Sequence, residues 1–212
     1  MSGRPREFDR SKALDDAMRA FWSKGYERTG LPDLQTAMGI GRQSLYNAFG
    51  DKRTLFLEAL DHYGATQFRW LHALLASPGS GIDNVRAMMN AWVDAVSAAD
   101  FTGCLICNSA VEFGRDAEVT AITDRHNGAI EESIYQALER AVGDSELGRK
   151  TDTRALAQFI ANLGQGLAQQ GRAGLSREKA SAIISVALPL LEQRGGRKLV
   201  PAGRRSKLAR VG

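Results

Sequence analysis

Residues 31–49, LPDLQTAMGIGRQSLYNAF, constrain the chain most, because two short amphipathic segments meet there at a glycine. Leu31, Leu34, Met38, Ile40 and Leu45 recur at the spacing that lines one small core across two helices. Gly39 falls where the chain must reverse, and glycine takes positive φ without steric cost. Beyond the turn, Arg42, Gln43, Ser44, Tyr46 and Asn47 leave one helix face polar and rich in hydrogen-bonding groups. That is the make-up of a helix that reads the major groove of DNA.

Helical periodicity runs through most of the remaining sequence, and no stretch alternates as a half-buried strand does. Asp9 or Ser11 is placed to cap a first helix with an apolar face of Leu14, Ala17, Met18, Phe21 and Trp22, stopped at Gly25. After the two short helices, Asp51 caps a long helix expected over 52–75, followed by helices over 82–98, 103–113, 117–142, 153–170 and 177–193. The expectation is an all-α chain of about nine helices. It divides into an N-terminal three-helix helix-turn-helix domain (1–60), a helical domain (61–194) and a basic tail (195–212) whose Gly, Pro and Arg/Lys content predicts disorder.

Charge distribution agrees with a polyanion partner without requiring one. Residues 1–56 carry ten Lys/Arg against seven Asp/Glu, residues 57–192 eleven against seventeen, and residues 193–212 seven against none. Positive ends around an acidic middle suit a protein that offers part of its surface to nucleic acid, although solvated surface charge explains the first excess equally well. No apolar run approaches the roughly 20 residues of a membrane helix, and the N-terminus lacks an apolar signal region, so a cytoplasmic location without membrane contact is expected.

The segment 13–60 resembles the DNA-binding domain of the TetR/AcrR family of bacterial transcriptional regulators. The residues that carry the resemblance are Phe21, Gly25 and Tyr26; Thr29 before the second helix; Ala37, Gly39 and Ile40 at the turn; Ser44, Leu45, Tyr46 and Phe49; and Lys52 with Leu55. Two positions depart from the pattern: Gln35 stands where a small residue is usual, and Gly30 where a second Thr or Ser is usual. Together with side-chain chemistry, the resemblance implies that Arg42 and Gln43 reach base edges, Arg to guanine and Gln to adenine, with Ser44 and Asn47 on base or phosphate. Tyr46, Thr29 and Lys52 are expected on phosphates. Arg4 and Arg6 are either a minor-groove arm or part of a frayed terminus.

The resemblance further implies a C-terminal half that binds a small-molecule effector and forms a homodimer through its last two long helices, about 153–170 and 177–193. Small residues there, among them Ala157, Ala161, Gly164, Gly166, Ala168, Ala180 and Ala187, allow close helix approach between chains or within one. Two recognition helices about 34–36 Å apart then read a near-palindromic operator. Candidate cavity residues are Phe68, Trp92, Cys104, Cys107, Asn108, Glu112, Phe113, Phe159 and Asn162.

Cys104 and Cys107, three apart in GCLICNS, fall on one helix face. They are either small core residues or a thiol sensor of electrophiles or oxidants activated at a helix N-terminus. A zinc site needs a second cysteine pair or paired histidines, which the sequence lacks, and no metal or cofactor is expected. An enzyme is disfavoured: His62, His72 and His126 have no HExxH spacing, and no GxSxG, P-loop or dinucleotide motif accompanies a strand. A DNA-binding regulator without a ligand is the remaining rival.

Overall fold

The computed structural model describes residues 8–192, and among these all regular structure is helical: ten α-helices and one 3-10 helix. The head consists of α1 (Arg10–Lys24), α2 (Leu31–Met38) and α3 (Arg42–Phe49), followed by α4 (Lys52–Gln67). The rest is α5 (Arg69–Leu75), α6 (Gly81–Val96), α7 (Leu105–Phe113), α8 (Ala117–Gly143), α9 (Thr153–Arg172), α10 (Arg177–Ala187) and the 3-10 helix Leu188–Glu192. Asp9, Asp51, Ser80, Asp116, Asp152 and Ser176 cap α1, α4, α6, α8, α9 and α10 by accepting backbone N–H groups of the first turn. Asp9, not Ser11, closes α1. No helix among the described residues is long and apolar enough to cross a membrane.

Gly39 sits in the left-handed region (φ 65°, ψ 25°), with no atom within 4 Å of where a Cβ would stand. Backbone conformation therefore selects glycine there, and space does not. Leu34, Met38, Ile40, Leu45 and Phe49 are buried against Leu14, Ala17, Met18 and Phe21 of α1, with Leu31 half-buried at the edge. Gln35 is half-buried. Gly30 opens α2 with its N–H donated to the Asp33 carboxylate at 2.8 Å.

Several helix ends shift by one or two residues from the expected ones, and three departures have a visible cause. The helix expected over 52–75 breaks at Phe68, raising the count from about nine to ten. The Thr66 hydroxyl donates back to the His62 carbonyl at 2.8 Å, a pattern that bends helices. Phe68 then packs edge-on against Tyr63. The helix expected from 103 starts at Leu105, because Gly103 lies at φ 88° and leaves Cys104 as the N-cap. The last α-helix stops at Ala187, since Pro189 cannot donate to the ladder, and the chain continues as 3-10.

Two apolar cores organise the packing. One joins α5, α6, α8, α9 and α10 around Val85, Met88, Met89, Ile134, Leu138 and Ile160. The other belongs to the head, yet it takes in Tyr63 from the far part of α4, Leu105 and Ile106 from α7, and Val119 from α8. Residue 60, the expected domain boundary, lies inside α4 with no break, so α4 serves both units.

Candidate nucleic-acid interface and the cavity behind it

Leu45 and Phe49 are 0% and 3% exposed and pin α3 to the head, which turns the opposite face outward. On that face Arg42, Gln43, Tyr46 and Asn47 are exposed and Ser44 is half-buried. Four-residue spacing sorts them into two rows. The Arg42 guanidinium lies 5.6 Å from the Tyr46 ring centroid, and the Gln43 amide donates to the Asn47 side-chain oxygen at 3.0 Å. Two stacked and two hydrogen-bonded side chains thus form an ordered polar strip.

Arg10, on α1, orders the other end of α3. Its guanidinium donates to the Ala48 carbonyl, pairs with Glu58 at 2.6 Å and covers the Phe49 ring at 4.5 Å. A cation at a helix C-terminus is favourable, and this one ties α3 to α1 and α4. Nothing in the local sequence pattern distinguishes Arg10 from any other exposed arginine.

Two expected phosphate contacts are placed differently from the rest. Thr29 is 0% exposed, and its hydroxyl donates to the Gly25 carbonyl at 2.6 Å, bracing the α1–α2 turn. It is a structural residue. Lys52 is half-buried with its ammonium 4.1 Å from the Tyr26 ring centroid, at the first position of α4. Arg4 and Arg6 lie outside the described residues, as does the basic tail.

The head is joined to the rest through α7 and the start of α8. The Trp22 indole N–H donates to the Gly103 carbonyl at 2.8 Å. The Glu112 carboxylate accepts the backbone N–H groups of Tyr26 and Glu27 at 3.2 and 3.0 Å. Phe113 stacks on Phe56, with ring centroids 5.0 Å apart, and also meets Tyr26. Arg53 bridges Asp116 and Glu118 at 2.8 and 2.7 Å; the hydrogen bonds it donates to those carboxylates, Glu118 first, raise its pKa further. Replacing Glu112 with Ala is expected to cost about 1 kcal/mol, the charged-hydrogen-bond range reduced for exposure. Amide exchange at Tyr26 and Glu27 should then rise several-fold, with Glu112→Gln recovering part of the protection; unchanged exchange would refute the clamp.

Behind this joint lies a cavity of about 280 Å³. Of the nine expected residues, Phe68, Trp92, Cys104 and Cys107 line it. The other five do not. Asn108 and Glu112 border a separate hollow of about 350 Å³ with Lys24, Arg28 and Arg172. Phe113 is in the aromatic joint, and Phe159 and Asn162 are exposed on the outer side of α9. The inward line of α9 is Ala161, Gly164, Gln165 and Ala168, so residues at 159 and 162 face away. The wall also includes Trp22, Tyr63, Gln67, Trp70, Phe101 and Asn127. Trp22 comes from the head helix, a long-range placement with no local sequence signal.

The thiols share one environment. The Cys104 thiol is lowered to about 7, chiefly by the neighbouring Cys107 thiol; the N–H groups at the start of α7 and the Tyr63 hydroxyl assist, and burial opposes. The Cys107 thiol is pushed up by that same hydrogen bond and by burial. Burial likewise raises the Tyr63 hydroxyl.

An all-helical chain with a helix-turn-helix head and a cavity-bearing helical body defines a class of DNA-binding transcriptional regulators. The family model for bacterial regulatory proteins of the tetR family matches residues 13–59, and that for the tetracyclin repressor-like C-terminal domain matches residues 81–185. The chain is 37% identical over 161 residues to YezE of Bacillus subtilis (strain 168), an uncharacterized HTH-type transcriptional regulator, covering 74% of this chain and 83% of that protein. It is 33% identical over 194 residues to the HTH-type transcriptional repressor ComR of Escherichia coli (strain K12), covering 89% of this chain and 91% of that one. Among solved structures, a cysteine-substituted form of the TetR family regulator CifR bound to a 26-bp double-strand operator DNA superposes with a TM-score of 0.76. That protein is 34% identical, and the match covers 88% of this chain and 98% of CifR. The chain belongs to the TetR family of bacterial transcriptional regulators. Its relatives are regulators of transcription, not enzymes.

Proposed function

We propose that the protein is a homodimeric repressor of the bacterial cytoplasm that binds a near-palindromic operator and leaves it when an effector fills the cavity. The ordered polar strip of α3 is the observation that carries the DNA-reading part. Arg42 suits guanine, and Gln43 with Asn47 suits adenine; Ser44, Tyr46 and Lys52 hold phosphates. Dimerisation is supported by the outer faces of α9 and α10, where Phe159 is 47% and Val186 78% exposed beside small residues. Two heads related by a two-fold axis read two half-sites.

Release follows from linkage. An effector that prefers a different seating of the head weakens DNA binding by its differential affinity for the two arrangements. α7 is suited to transmit this, since Gly103 and Cys104 border the cavity while Glu112 and Phe113 grip the head. Selection of bound duplexes from a random pool tests the proposal. A near-palindromic motif with half-sites one helical turn apart is expected, and an asymmetric or absent motif contradicts it.

A second reading has a specific observation behind it: Cys104 in the cavity wall, with its lowered thiol, senses an electrophile or oxidant. Hydrogen bonds lower the Cys104 thiol to about 7, so at neutral pH it holds far more thiolate than an unperturbed thiol, which is roughly 3% ionised there. Its folded value is the lower one, so reactivity climbs through a lower pH range than that of an ordinary thiol and levels off first. Alkylation by iodoacetamide, followed by peptide mass, should reach half its maximal rate near pH 7 at Cys104, with Cys107 much slower. A midpoint near that of an ordinary thiol, or Cys107 reacting first, removes this reading.

A further inference from the structure

We propose that the cavity takes a small, uncharged aromatic molecule carrying one hydrogen-bonding group, an inference that rests on the effector-cavity reading above. Among its nineteen lining residues there is no Asp, Glu, Lys, Arg or His. A carboxylate would leave water with no cation to meet it, and an ammonium would find only the Cys104 sulfur, already hydrogen-bonded by Cys107 and Tyr63, so both bear the cost of entering apolar surroundings. Asp61, two residues before the lining Tyr63 on α4, is engaged by Arg125 and His126.

Six of the lining side chains are aromatic, and they include all three tryptophans of the chain. An aromatic box also suits a quaternary ammonium, provided open ring faces surround it. Three of the six rings are turned edge-on to one another: Trp22 meets Tyr63 at 73° and Tyr63 meets Phe68 at 81°. Such edges pack well against a further planar ring and cage a cation poorly. Polarity enters through the half-buried amides of Gln67, Asn127 and Gln165, which make no hydrogen bond to protein among the described residues. They can serve one donor or acceptor on the ligand. Size points the same way, because a dry cavity of about 150 Å³ accepts benzene. At about 280 Å³ this one has room for two fused rings.

Calorimetric titration of the full chain with three probes of one shape tests the inference: 2-naphthylmethanol, 2-naphthoate and trimethyl(2-naphthylmethyl)ammonium. The alcohol should bind and quench tryptophan emission, with both ions about 30-fold weaker or worse. Ala168→Phe, which fills the wall, should abolish binding of the alcohol while a cooperative melt is kept; Ala95→Phe serves if that variant does not fold. Binding of either ion as tight as the alcohol overturns the inference. So does binding of none of the three, or binding of the alcohol that survives the filled cavity. Operator affinity is measured on the same samples. Should the alcohol bind without changing it, the ligand class stands and the effector role falls.

Discussion

Arg42→Ala is expected to weaken binding to the selected operator by about 2–6 kcal/mol in a dimer that loses one bidentate base contact in each half-site. That corresponds to a loss of about 30-fold to 10⁴-fold. The argument rests on how α3 is held. Leu45, Phe49 and Arg10 fix its axis, so truncating an exposed residue on the far side leaves the fold intact. The variant should melt like the parent, because the Arg42–Tyr46 contact is solvent-exposed and worth little. Its affinity for unrelated duplex should fall far less than its affinity for the operator. Lys52→Ala is the counterpart: it should weaken all sequences alike and reduce the salt slope by about one per protomer. Anisotropy titrations on both duplexes separate the two patterns, and an Arg42→Ala loss that is equal on all sequences would reassign Arg42 to phosphate.

Phe56→Ala should be the most damaging single truncation in the joint, at about 3–5 kcal/mol. Phe56 is 1% exposed and meets Phe21 edge-on at 5.1 Å, Tyr26 at 4.9 Å and Phe113 face-on at 5.0 Å. Removing it empties the centre of the cluster that links α1, α4 and α7. For a domain of this size each kcal/mol moves the melting temperature by about 2–4 °C, so a drop of about 10 °C is expected. The loss should be uneven, with amide exchange rising most in α1–α3 and least around Met88, Met89 and Ile134 in the other core. Uniform exchange across both cores would mean that the head and body do not open separately.

The head is legible in the sequence because its signals are local. Gly39, the apolar spacing of Leu34, Met38 and Leu45, and the polar run after the turn each speak to neighbours within four residues. Thr29 shows the limit of that kind of reading. Its position suits a phosphate contact, yet the α1–α2 turn folds over it and takes its hydroxyl for Gly25. The cavity is half legible for a related reason. Phe68, Trp92, Cys104 and Cys107 are apolar residues at elements that must face inward, and they do. Phe159 is as apolar, but α9 turns Leu156, Ala157, Ile160, Ala161 and Leu167 inward, which leaves 159 outside. Glu112 and Phe113 lie on the expected helix, at the end that grips the head and not at the end that borders the cavity. The roles of Trp22 and Arg10 depend on contacts 81 and 38 residues away, which no window of sequence contains.

The measurement that tests the central claim most directly is the affinity of the intact chain for its selected operator and for a scrambled duplex of the same composition, over a salt series. A sequence-reading dimer predicts a preference of about 10³-fold or more at physiological salt, with affinity falling steeply as salt rises for both duplexes. Equal affinity for the two duplexes at every salt concentration would contradict it.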